Sequence, residues 1–146
     1  MSARHVSTPG DTRDSIRGGP MTTAWQWITV VLAMAILLQA VLASFGLFEG
    51  EARLVDVHRE LGNMLPLLAL AQAVMAAILF RRKVLRASSL WIAIVLFPLV
   101  TGQLMMGYET SENATAIALH IPLGVLLMSL TTMNAVLAWI LHPGRR

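Results

Sequence analysis

Four stretches of this chain, residues 24–48, 61–80, 87–108 and 113–144, contain no charged side chain at all. Each reaches the ~20 mostly apolar residues that cross a hydrocarbon core as a helix. Backbone groups in lipid must be satisfied within the segment, and barrel strands would alternate apolar and polar residues, which these runs do not. Charged residues make up only 13% of the chain against 56% hydrophobic, about half the charge that keeps a soluble domain wet. The expected fold is therefore all-α: an integral membrane four-helix up-down bundle. Expected spans are 24–48, 54–80, 88–108 and 113–141, within a transmembrane domain of residues 24–142. Residues 1–23 mix Ser, Thr, Gly, Pro and both charge signs without periodicity and are expected as a disordered tail, with Met21 an alternative start. Residues 143–146 form a second short tail.

The charges that do occur are sorted by end. Arg4, Arg13, Arg17, Arg81, Arg82, Lys83, Arg86, Arg145 and Arg146 are nine of the eleven basic residues and fall on one side of the alternating spans. Arg53 and Arg59 fall on the other, with Glu49, Glu51, Asp56, Glu60, Glu109 and Glu112. The positive-inside rule then expects both termini in the cytoplasm of a cell whose inner (plasma) membrane holds the chain. Basic clusters in such positions serve topology and lipid contact, so nucleic acid is not an expected partner. With no cysteine, thiolate metal sites, iron–sulfur clusters, covalent c-type haem and cysteine nucleophiles are excluded. No G-x-S-x-G, phosphate loop or pair of intramembrane acids suggests an enzyme.

Four histidines occur. His5 lies in the tail, and His142, followed by Pro143, at the end of the last span. His58 and His120 differ. If helix 2 opens near Glu51 and helix 4 near Ser111, they lie about 10 and 14 Å along their helices, both from the outer side. Gly62 and Gly124 follow four residues after each histidine on the same face, and Gln72 and Asn134 follow fourteen residues after. Phe45-Gly46 and Met106-Gly107 close helices 1 and 3. The repetition suggests two pseudo-symmetric helical hairpins. Opposed imidazoles with a glycine beneath each suit a haem, the glycines leaving room for the ring edge. Arg59 and Arg53 are candidates to pair with haem propionates. Leu61, Leu65, Leu123, Leu127, Met128, Phe45, Met105 and Met106 are the candidate lining. A zinc site is less favoured, because two histidines leave a tetrahedron short. The bland alternative is that each histidine bonds a carbonyl or water and each glycine serves helix packing. Pro66, Pro98 and Pro122 lie within the spans and favour kinks.

At these residues the chain resembles one four-helix half of the haem A synthases, and small bacterial four-span proteins with the same His-bearing hairpins. The resemblance spans about residues 25–141 and rests on His58, His120, Phe45-Gly46, Gln103 and Gly107. It implies that His58 and His120 are the axial pair of a b-type haem near the outer face. It does not imply synthase activity. One half only is present, the cysteine-bearing loop is missing, and Val55 and Ile117 stand where that family has a carboxylate before a haem histidine. The function expected is a cytochrome-like protein with one haem b per chain, for electron transfer or haem sensing and handling. Gln72 and Asn134 are poor axial ligands and better suited to bonding each other, so no second haem is expected. Expected partners are the bilayer, the haem, a quinone or membrane redox protein, and further copies of the chain. The alternative is a cofactor-free membrane scaffold or accessory subunit.

Overall fold

The computed structural model describes residues 19–109 and 113–140, the side chain of Leu47 excepted. Expectations for His5, Ser111, Glu112, His142 and the remaining tail residues lie outside that range. Four helices follow one another: α1 Pro20–Phe48, α2 Ala52–Arg81, α3 Ala87–Glu109 and α4 Ala114–Ile140. Each packs against its sequence neighbours, and α4 closes back on α1. The result is an up-down ring in which α1 and α3 form one diagonal and α2 and α4 the other. All four are long and apolar enough to cross a membrane. Their outward faces carry large apolar side chains such as Met34, Leu67, Trp91 and Val125, as expected of a multi-pass membrane protein whose helices are apolar all round.

The ends follow local chemistry. α1 starts four residues before the expected span, so residues 20–23 are helix and not tail. Pro20 suits the first helical position, where its missing N–H is not needed, and Thr22 is already buried. Gly50, at φ 70°, makes the turn into α2. α2 ends in a Schellman arrangement, Val84 N–H donating to Leu79 O and Lys83 N–H to Phe80 O, with Lys83 at φ 59° where glycine is usual. α4 opens on Asn113, not Ser111: Asn113 Oδ1 accepts from Thr115 N–H at 2.9 Å. α2, α3 and α4 run unbroken through Pro66, Pro98 and Pro122.

Burial repeats with one rhythm in all four helices. Trp25, Thr29, Leu32 and Ile36 of α1 match Ser89, Ala93, Leu96 and Val100 of α3; Leu65, Ala69, Gln72 and Ala76 of α2 match Leu127, Thr131, Asn134 and Ala138 of α4. Every set steps by four, three and four residues, the seam of a coiled-coil bundle. The contacts of Gly62 with Gln39, of Gly124 with Gln103 and of Gly107 with His120 fix how the seams align. Layers follow from that alignment. Ala43, His58, Gly107 and His120 come first, then Gln39, Gly62, Gln103 and Gly124. Next are Ile36, Leu65, Val100 and Leu127, then Leu32, Ala69, Leu96 and Thr131. Thr29, Gln72, Ala93 and Asn134 follow, and Trp25, Ala76, Ser89 and Ala138 end the stack. The four tryptophans cluster at that last end, Trp27 and Trp139 edge to face with centroids 5.8 Å apart, where an interfacial belt belongs.

Candidate functional site

His58 and His120 each stand six residues into their helices, about 9 Å from the first residue. The later start of α4 makes the two depths equal. Because α2 and α4 are diagonal, the imidazoles face across the bundle, close enough for each to sense the other's charge. The remaining members of their layer, Ala43 and Gly107, are the smallest side chains available. A Cβ on Gly107 would lie 3.2 Å from His120 Cε1, so glycine lets the ring rest against α3 where alanine would press it back by a few tenths of an ångström.

The second layer holds the rings in place. His58 Nδ1 lies 3.1 Å from the Gln39 carbonyl oxygen. As a carbonyl only accepts, Nδ1 carries the proton and donates, which leaves Nε2 with a free lone pair. The Gln103 backbone faces the His120 ring in the corresponding place, although His120 Nδ1 falls short of a well-formed hydrogen bond. Gln103 Nε2 also donates to the His120 carbonyl at 2.9 Å. The buried amide oxygens of Gln39 and Gln103 have no hydrogen-bond partner.

These glutamines change the part expected of the glycines. A Cβ on Gly62 would approach Gln39 Nε2 to 3.0 Å, and one on Gly124 would approach Gln103 Nε2 to 3.2 Å. The space over each glycine therefore takes a glutamine amide, not an open seat for a ring edge. Other assignments also shift. Arg59 and Arg53 are exposed, and Arg59 makes only a long, solvent-facing pair with Asp56 at 3.8 Å. Phe45 and Met105 point outward, whereas Leu65 and Leu127 are buried directly below the glutamines. Leu61, Met106, Leu123 and Met128 are half-buried. The structure adds Tyr108, whose hydroxyl donates to Asn63 Oδ1 at 2.7 Å and ties α3 to α2.

The side chains around the histidines are more exposed than those of the other half. Among described residues 37–46, 52–64, 101–109 and 113–126, only Gly46 and Ala116 are buried, whereas the opposite half carries the whole close-packed core. Native interiors are packed at crystal density. A layer of inward-facing imidazoles and amides left half-open is thus the part of this bundle suited to a ligand. A groove of about 400 Å³ lined by Met21, Leu67, Leu70 and Val74 lies instead on the apolar outside, away from the histidines. Among the described residues no group of three His, Cys, Asp or Glu side chains could hold a metal ion.

Gln72 and Asn134 do not bond each other as expected. Both are buried, and all four of their amide atoms lack a partner. Such groups cost roughly 1–3 kcal/mol each when left unsatisfied, so stability alone does not explain them. No known protein family, curated protein or solved structure matches this chain.

Proposed function

We propose that this chain is a membrane b-type haem protein, binding one haem between His58 and His120. The observation that carries the reading is the His58–Gln39 bond: a ring nitrogen anchored on a carbonyl, with the other nitrogen free, is the usual preparation of a metal-binding imidazole. The diagonal, equal-depth placement of the second imidazole, the small Gly107 beside the His120 ring, and the greater exposure of this half of the bundle support it. When bound, haem supplies one-electron chemistry through its iron. The chain's own part is to hold the imidazoles opposed, to admit the ring by displacing the Gln39 and Gln103 amides, and to close the apolar floor with Leu65 and Leu127.

A single histidine layer gives one site near one end of the bundle, which suits exchange with a partner or quinone on that side, or haem sensing and transfer. Arg81, Arg82, Lys83 and Arg86 stand at the opposite end, and the positive-inside rule makes that end cytoplasmic in this reading. Protein purified in detergent should show a Soret band, and on reduction the sharp alpha band of six-coordinate, low-spin iron. His58→Ala and His120→Ala should each lose haem or turn it high-spin, and a pyridine haemochrome assay should count one per chain. Normal haem content in both variants would sink the assignment. The second reading, a cofactor-free scaffold, draws on the glutamine amides already packed over Gly62 and Gly124; a folded protein with no Soret band after haem addition would favour it.

A further inference from the structure

The half of the bundle away from the histidines carries a different polar feature. Among the described residues all the buried polar side chains, Thr22, Gln26, Thr29, Gln72, Ser89, Thr131 and Asn134, sit below the apolar layer of Ile36, Leu65, Val100 and Leu127. Some are satisfied internally: Gln26 Nε2 donates to Ala138 O at 3.0 Å, Thr29 to Gln26 O and Thr131 to Leu127 O. Thr22 Oγ1, Trp25 Nε1 and both ends of the Gln72 and Asn134 amides have no partner. The unpaired atoms form a column. It runs from the end where α3 begins, past Thr22 and Trp25, to the Thr29–Gln72–Ala93–Asn134 layer.

At its outer end the column has room of a defined size. A cavity of about 20 Å³ lies between Thr22, Trp25, Arg86, Ser89, Leu137 and Ala138. One water needs roughly 10–15 Å³ measured this way, with two to four polar partners, and Thr22 Oγ1, Trp25 Nε1 and the Ser89 hydroxyl supply them. Deeper in, small Ala93 shares the layer of the amides, and Ala76 and Ala138 lie in the layer next to it. An amide offers both a donor and an acceptor, so its complement must accept and donate in a small volume.

We propose that this half of the bundle is an internal hydration site. Water enters beside Arg86 and Ser89, is held by Thr22 and Trp25, and ends at Gln72 and Asn134. The layers of Leu32 and Leu96 and of Ile36, Leu65, Val100 and Leu127 close it off from the histidines. The site is a dead end, and it does not depend on haem.

Transfer of magnetisation from water to the native protein in nanodiscs tests this, with selective ¹⁵N-glutamine, asparagine and tryptophan labels and ¹³C leucine methyls. Water cross-peaks are expected at the Gln72 and Asn134 amide protons and at the Trp25 indole, and none at the methyls of Leu32, Leu65, Leu96 and Leu127. The pattern should be unchanged in His58→Ala, so loss of haem binding and loss of hydration are separately visible. Dry Gln72 and Asn134 amides would overturn the proposal. Water signal at the leucine methyls would overturn the dead end.

Discussion

Gly46→Ala tests whether close approach of α1 and α2 sets the geometry of His58. A methyl at Gly46 would meet Val55 Cγ2 at 2.9 Å and Val55 N at 3.2 Å. The first contact is a stiff β-branched side chain and the second is backbone, so neither gives way cheaply. Restoring ordinary contact needs about 0.5 Å of separation between the helices. Carried three residues along α2, that displacement stretches the 3.1 Å bond from His58 to Gln39 to about 3.6 Å, beyond hydrogen-bonding distance. Overpacking costs ~1–3 kcal/mol, and alanine returns ~1 kcal/mol of helix propensity, leaving a net loss of about 0–2 kcal/mol. Gly102→Ala is the control: nothing lies within 4 Å of its Cβ, so it should gain up to ~1 kcal/mol. Reversible unfolding in mixed detergent micelles measures the difference, and the ¹⁵N shifts of the His58 imidazole report whether Nδ1 keeps its proton. Gly46→Ala as stable as Gly102→Ala, with an unchanged His58 signal, would refute the reasoning.

Lys83→Gly should raise the unfolding midpoint, by about 0.5–1 kcal/mol in stability, because Lys83 is exposed and holds a left-handed φ of 59°; a lower midpoint would mean that its side chain makes a contact that matters. The absence of native cysteine makes topology simple to read. A cysteine at Glu49 should react with an impermeant thiol reagent on intact cells and one at Lys83 should not, and the reverse pattern would invert the orientation.

Much of the architecture was readable in the sequence because lipid imposes so blunt a requirement: long charge-free runs can only be helices, and short loops make them neighbours. The placement of His58 and His120 near one end of alternate helices was also readable, although counting gave depths of about 10 and 14 Å that only the later start of α4 makes equal. The exact ends were less legible. Pro20 and Asn113 act through local backbone bonds that hydrophobic runs do not register, so α1 starts earlier and α4 later than expected. Gln39 was missed as a partner of His58, because its contribution is a backbone carbonyl on another helix. The signal was present, since Gln39 precedes Gln103 by the same interval that separates Leu32 from Leu96.

The two apolar layers between Gln39 and Thr29 also shape the electrical profile of the molecule. Ten residues of helix separate those polar levels, about 15 Å lined by leucine, isoleucine, valine and alanine, with the Thr131 hydroxyl turned back onto its own helix. A membrane voltage falls mainly across the least polarisable slab in its path, where it is worth about 2.3 kcal/mol per elementary charge for each 100 mV. The histidines stand beyond that slab. With haem bound as proposed, an electron gained or lost at their level would cross only a minor part of the voltage, and its energy would be set mainly by the solution on its own side.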